Sequence, residues 1–402
     1  MKTFADLRSS LSVSSCAVAL ALASTGCPSD TTTGGGGTED GDGGSGTQGS
    51  ADGGPGSGGP GGTEGGDATG GTDAGPGGPD DTGDPTDPGT GDTGKVPGVS
   101  CLDEQYIIGV SPGPNYNELG ATIGTHCNGT DHQDITGIER VVFIGDSVTV
   151  GTPPTGSGDF FRTIVAAELA TQFGIEAPAG NWNNANPLSG MSGVQESGAF
   201  ASCSEWGARN DDLIPQLENC FAPEDFDART LVIWTMGGND VSSIAQDYIN
   251  GEPLNVVFDQ VEEMIANHEG ALQWLTEQNR FPNGVFVVNA NVYEYTDYTA
   301  EVLSCPAANT AVGFSANPDM PEILLASLNH INEEYMLSAV AHGTDVTFMF
   351  EGFCGHGFKS TEPSNVCFRG PGNANWFDLT CIHPTPDGHA AIAQMFLDTI
   401  LE

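Results

Sequence analysis

From residue 139 onward, short uncharged runs rich in β-branched and aromatic residues alternate with longer segments whose apolar positions recur at helical spacing. The runs are Val141-Val142-Phe143-Ile144, Leu231 to Met236, Val285-Phe286-Val287-Val288 and Val346 to Phe350. Such runs suit strands buried on both faces, as in a parallel sheet. Between them, Phe160 to Phe173, Val256 to Leu275 and Glu322 to Ala341 predict helices, the second with Val257, Val261, Met264, Ile265 and Leu272 on one face. Thr385-Pro386-Asp387 opens a last helix, reaching Leu401, with an N-cap threonine and proline at the first position. Its Ile392, Met395 and Phe396 form a face that packs on the sheet. Strands alternating with helices give an α/β fold, a three-layer α/β/α sandwich with a parallel sheet.

The pattern is different ahead of residue 101. Residues 1–27 carry Lys2 and Arg8, then an apolar and small-residue stretch from Leu11 to Ala23, then Ser24-Thr25-Gly26-Cys27. This reads as an export signal, too short and too rich in small residues to span a membrane. Its ending resembles a bacterial lipoprotein cleavage box with Cys27 as the lipidated residue, although Ser24 stands where an aliphatic residue is usual, and cleavage after Ala23 is the competing reading. Residues 28–100 are Gly, Thr, Asp, Pro and Ser with hardly an apolar side chain, so they build no core and read as a disordered linker. As a flexible tether they would reach roughly 50 Å. Their Gly-x-Gly-x-x-Gly matches neither follow a strand nor open a helix, which removes a nucleotide-binding reading. Residues 101–402 are long enough for one large core.

Of the ten cysteines, Cys16 and Cys27 fall in the signal and eight remain in the domain. An even set in an exported chain predicts disulfides and an oxidising compartment. Short loops favour Cys101 with Cys127, Cys203 with Cys220, and Cys367 with Cys381. No C-x-x-C spacing occurs, which argues against a metal site. The formal net charge of −44 repels phosphate backbones, so nucleic acid is excluded as a partner.

The candidate chemistry sits where the first strand ends. Gly145-Asp146-Ser147 follows Val141–Ile144 directly, and ligands bind at the carboxyl edge of such a sheet. A serine there has an exposed hydroxyl and a backbone N–H at a helix start facing an incoming oxyanion. Capping of a helix by Asp146 and Ser147 is the alternative for this stretch alone. Three further stretches bear on it. Ser204-Glu205-Trp206-Gly207 precedes a polar loop, Gly237-Gly238-Asn239-Asp240 follows the strand at Leu231, and His383-Pro384 lies near the end of the sequence. Together, in this order, the four blocks over residues 139–402 resemble the SGNH, or GDSL, hydrolases, a family of serine esterases and lipases of flavodoxin-like fold.

The resemblance implies a carboxylic-ester hydrolase with Ser147 as nucleophile and His383 as base. It also implies an oxyanion site of the Ser147 and Gly207 backbone N–H groups and the Asn239 amide, with no cofactor and no metal. The family usually has an aspartate three residues before the histidine, where this chain has Thr380. Asp378 is the nearest preceding carboxylate. It serves as orienter of His383 if the intervening chain bulges, a shape that a disulfide at Cys381 would pin; otherwise a main-chain carbonyl near Thr380 takes that place.

Other residues have plainer readings. Asp146 and Asp240 brace turns through backbone hydrogen bonds, and His389 is a structural hydrogen-bonder. His126, Asp131, His132 and Asp134 belong to a solvated loop rather than a metal site. Trp182, Trp206 and Trp376 line an acyl or sugar pocket or else pack in the core. The expected substrate is a small-molecule, lipid or acylated-glycan ester, with membrane contact only through an anchor at Cys27. The alternatives are a thioesterase or phospholipase-like acyl hydrolase, and a non-catalytic tethered adhesin that binds glycans.

Overall fold

The computed structural model describes residues 98–402, so the expected signal and nearly all of the expected linker lie outside the described residues. A first short helix, α1 (Gly98–Asp103), begins three residues before the expected domain boundary. The sheet is built from β1 (Arg140–Gly145), β4 (Glu196–Ser197), β5 (Phe200–Ser202), β6 (Thr230–Thr235), β7 (Val285–Ala290) and β8 (Asp345–Thr347) in the order β4-β5-β1-β6-β7-β8. All neighbours are parallel except the edge pair β4 and β5. A separate two-stranded ribbon joins β2 (Ala185–Asn186) to β3 (Met191–Ser192).

The period-two geometry of β1 explains why its apolar run is unbroken. Val141 and Phe143 face one cluster, with Leu231, Ile233 and Val288 from neighbouring strands. Helices α3 (Phe161–Phe173) and α9 (Pro386–Ile400) cover that face through Phe161, Val165, Leu169, Ile392 and Phe396. Val142 and Ile144 face the opposite way with Val232, Trp234 and Val287, under α4 (Leu213–Cys220) and α6 (Leu254–Thr276). Helix α7 (Pro321–His342) packs on α6 through Leu328, Ile331 and Tyr335. The three layers are therefore as the sequence pattern predicts, because both faces of each central strand need apolar cover. The expected helices lie within a residue or two of their observed ends, and Thr385 Oγ1 caps α9 by accepting from Gly388 N.

Two elements differ from expectation. The run Val346 to Phe350 is strand only through Thr347; Met349–Phe353 is a short helix, α8. The Phe348 N–H donates to the Asn128 carbonyl and the Phe350 N–H to Asn291 Oδ1, so the backbone leaves the ladder while the side chains stay buried. A buried apolar run does not distinguish those two outcomes. Strand β5, three residues long, has too little pattern to be read, and it lies beside β1 with Val142 opposite Ala201.

The parallel strands thus run second-first-third-fourth-fifth in chain order, and the order reverses between β1 and β6. Ligands sit at the carboxyl edge beside such a reversal. At that edge, Gly145 has φ +126°, and a Cβ there would lie 2.2 Å from the Thr235 carbonyl oxygen. Only glycine permits β1 and β6 to end so close together.

Four disulfides form. Cys101–Cys127 and Cys203–Cys220 pair as expected, but Cys367 pairs with Cys354 and Cys381 with Cys305. The expected Cys367–Cys381 bond is therefore corrected: Cys354, at the end of α8, brings its Cα within 5.0 Å of Cys367. Loop length alone does not choose between two partners of Cys367 that are almost equally near in sequence. Cys305–Cys381 closes a separation of 76 residues against 26 for Cys101–Cys127. Replacing the longer pair by serines should cost about 1 kcal/mol more than replacing the shorter, on the loop-entropy account. Equilibrium unfolding of the two double variants checks this; an equal or smaller loss at the longer loop would count against it.

Candidate active site

Ser147 is the first residue of α2 (Ser147–Val150), reached directly from β1. Asp146 is extended (φ −100°, ψ −160°) and caps the helix: its Oδ1 accepts from Val148 N at 2.9 Å and from Thr235 Oγ1 at 3.2 Å. Burial pushes the Asp146 carboxyl up to about 6. It braces the turn, as its sequence context suggests. Gln216 on α4, a residue that sequence reasoning missed, holds both backbone groups of Gly145, accepting from its N–H at 2.6 Å and donating to its carbonyl at 2.9 Å. No local motif marks that glutamine, since the contact joins residues 71 apart.

His383 Nε2 lies 2.9 Å from Ser147 Oγ. The loop that carries it is closed by Asp378 N–H donating to the His383 carbonyl at 2.9 Å, by a bridge between Phe377 and Pro384, and by the Cys305–Cys381 disulfide, with Cys381 at φ +73°. The bulge considered from the sequence is present, and a disulfide pins it. Among the described residues, however, neither the Asp378 side chain nor a main-chain carbonyl is hydrogen-bonded to the His383 imidazole. Thr380 Oγ1 stands between them, 2.8 Å from His383 Nδ1 and 2.5 Å from Asp378 Oδ1. Burial holds the His383 pKa below its ordinary value, and the Asp378 charge offsets part of that.

The Gly207 loop and the start of the helix that carries Asn239 lie at the same edge, and the lining of the cleft there includes Ser147 and Asn239 but not Gly207. Among the described residues, neither the Ser147 nor the Gly207 backbone N–H donates a hydrogen bond. Gly207 has φ +81°, and its α-carbon faces open space. Its loop is held by Glu205 N donating to the Gly145 carbonyl at 3.0 Å and the Trp206 indole N–H donating to the Gly151 carbonyl at 3.1 Å. Asn239 is the second residue of α5 (Gly238–Ile249). One hydrogen of its amide goes to the Ala208 carbonyl at 2.8 Å, which ties the Gly207 loop to α5 and leaves the other hydrogen for a ligand. Asp240 accepts from Asn210 N at 3.2 Å, and burial pushes its carboxyl up to about 7.

Ser147, Asn239 and His383 share the wall of a cleft of about 120 Å³. The remaining lining is mostly apolar, with Val241 and Ile244 from α5, Leu324, Leu328 and Ile331 from α7, and Phe377. Glu294 also lines it, but its oxygens accept from the backbone of Thr296 and Tyr298 and burial pushes it up to about 7. None of the three tryptophans considered is part of this wall. Trp182 is buried beneath the Arg162 guanidinium, Trp206 holds its own loop, and Trp376 stacks on His356 with ring centroids 3.4 Å apart.

His389 is structural: its Nδ1 accepts from Phe161 N at 3.3 Å, and burial drops its pKa to about 3. His132 bonds to the Thr344 carbonyl and accepts from Thr122 N, while His126 lies 3.0 Å from Glu402. Among the described residues no group of three or more His, Cys, Asp or Glu side chains is arranged to hold a metal ion.

A mostly parallel sheet covered by helices on both faces thus carries a serine–histidine contact at its strand-order reversal. The model of the GDSL-like lipase/acylhydrolase family matches residues 141–396, and the chain belongs to that family of carboxylic-ester hydrolases. Solved structures similar to it include an extracellular lipase from Streptomyces rimosus and a phospholipase A1 from Streptomyces albidoflavus NA297. Each is 17% identical, covering 65% of this chain and 99% of its own, with a TM-score of 0.38. A lipase from a goat rumen metagenome is 14% identical over 65% of this chain and 97% of its own, with a TM-score of 0.41. No curated protein matches the sequence. Among the described residues no helix is long and apolar enough to cross a membrane.

Proposed function

We propose that the chain is an exported serine esterase that hydrolyses esters of hydrocarbon-rich acyl chains through an acyl-enzyme on Ser147. The observation that carries this reading is the 2.9 Å contact between Ser147 and His383 in the wall of a largely apolar cleft. His383 Nε2 takes the Ser147 proton as Oγ bonds to the ester carbonyl carbon. The resulting oxyanion accepts from the Ser147 and Gly207 N–H groups and the second amide hydrogen of Asn239. Collapse expels the alcohol, which receives the proton from His383; a water molecule then repeats the sequence on the acyl-enzyme.

The apolar walls from α5 and α7 favour a lipase-like or phospholipase-like acyl group over the acetyl group of a decorated glycan, since burial of hydrocarbon supplies binding energy that an acetyl lacks. Export is supported by the disulfides, which take up all eight cysteines from Cys101 to Cys381 and persist in oxidising compartments. Residues 1–27 as the signal, Cys27 as a lipid anchor and residues 28–100 as a tether belong to the same proposal. The test is a series of nitrophenyl esters from acetate to palmitate beside acetylated xylan. We expect kcat/KM to rise beyond acetate. Faster turnover of acetylated xylan than of any longer ester would make the protein a deacetylase, and inertness toward every ester would favour the adhesin reading.

A further inference from the structure

We propose that Thr380 is the residue that orients His383, with Asp378 acting through its hydroxyl, so that the site is a four-member chain of serine, histidine, threonine and carboxylate. This rests on the esterase reading and concerns the position where the family pattern has an aspartate and this chain a threonine. The hydrogen-bond inventory of one hydroxyl decides it. A threonine Oγ has a single hydrogen to donate and two lone pairs to accept with. A carboxylate accepts only, so at 2.5 Å from Asp378 Oδ1 the hydrogen of Thr380 is committed to Asp378. The same carboxylate oxygen also accepts from Thr380 N at 2.7 Å, which fixes the threonine backbone relative to its own side chain's partner.

Only the lone pairs of Thr380 Oγ1 then remain for His383. One accepts from the His383 backbone N–H at 3.3 Å and the other faces Nδ1 at 2.8 Å. With no hydrogen left on the oxygen side, the hydrogen of that last bond belongs to Nδ1. The assignment follows from the network, and it leaves Nε2 with the lone pair that Ser147 Oγ needs, 2.9 Å away. When Ser147 Oγ gives its proton to Nε2, the imidazolium keeps its Nδ1 hydrogen. No proton passes to Thr380 or Asp378. The threonine polarises toward the carboxylate, whose charge stabilises the cation from one hydroxyl further away than in a direct histidine–aspartate pair.

The loop supports this placement. Asp378 and Thr380 are held in register by Asp378 N–H to the His383 carbonyl and Cys381 N–H to the Asp378 carbonyl, and Cys381 is anchored to Cys305. A direct contact would require Asp378 to displace the hydroxyl already in place.

The relay and a direct triad predict opposite orders of damage. In Asp378→Asn the amide oxygen still accepts the Thr380 hydrogen, so kcat should fall by about tenfold or less. A directly paired aspartate would lose roughly 10⁴-fold, as when the aspartate of a serine protease triad becomes asparagine and the histidine is held in the wrong tautomer. Thr380→Val leaves Nδ1 against a methyl group and should lower kcat by about 10²-fold or more, the scale of losing an effective base, with KM little changed. Thr380→Ser should restore activity to within about threefold, because it keeps the hydroxyl. A merely structural threonine would not give that split. With the Asp378 charge gone, the acid limb of the kcat/KM profile should also move to lower pH in Asp378→Asn, since that charge raises the His383 pKa. Melting temperatures confirm that each variant is folded. An Asp378→Asn enzyme that is nearly dead beside a healthy Thr380→Val enzyme overturns the relay. So does Thr380→Val at wild-type rate. If the wild type cleaves no ester, or Ser147→Ala cleaves as well as wild type, the esterase reading itself fails, a result that is separate from either of these.

Discussion

Ser147→Ala should reduce ester turnover by roughly 10⁶-fold, the loss seen when a serine nucleophile is removed from a comparable machine, and should abolish labelling by a fluorophosphonate. Among the described residues the side chain removed has one hydrogen-bond partner, His383 Nε2. The turn is held by other groups: the Asp146 cap, the Gln216 grip on Gly145 and the Thr149–Thr235 hydroxyl pair at 2.8 Å. The variant should therefore melt with the wild type. Turnover measured with a nitrophenyl ester, together with a thermal melt, decides it; a folded Ser147→Ala enzyme that keeps its rate would remove the nucleophile assignment.

The second large effect is expected at Asn239. Loss of one oxyanion donor costs about 10²- to 10³-fold in kcat, and KM should change little because the bond strengthens only as charge develops on the oxygen. Asn239→Ala also leaves the Ala208 carbonyl without its 2.8 Å donor, so the Gly207 loop loses its tie to α5 at the same time. Asn239→Asp separates the two contributions poorly, since a carboxylate repels both the oxyanion and that carbonyl. Asn239→Gln is the more useful companion: it keeps the amide but moves it by one methylene. A fall in affinity with kcat intact would make Asn239 a binding residue instead.

The three central strands were legible because burial on both faces leaves no polar position in Val141–Ile144, Leu231–Trp234 or Val287–Val288. Strand β5 was not, since three residues carry no period, and the stretch from Phe348 to Phe350 misled because burial without alternation suits a helix equally. In the site, Ser147, Gly207, Asn239 and His383 stand in blocks whose order can be read along the chain. Gln216 and Thr380 do not. What each does is set by a contact whose geometry depends on neighbours distant in sequence, in the second case on a loop held by a disulfide to Cys305 that the cysteine spacing did not reveal. The carboxylate at Asp378 could be named from the sequence, but not the hydroxyl placed between it and the imidazole.

Ser147 and His383 are 236 residues apart, and His383 follows every strand of the sheet. Synthesis runs in that direction. A growing chain acquires the proposed nucleophile just after β1, then the helices α5 and α7 that line the cleft, and the proposed base only after all of these. A chain that stops short of residue 383 carries Ser147 without its histidine partner and without α9, whose Ile392 and Phe396 belong to the core under β1. On the proposed mechanism, competence therefore waits for the segment before α9, the part of the cleft lining that is synthesised last.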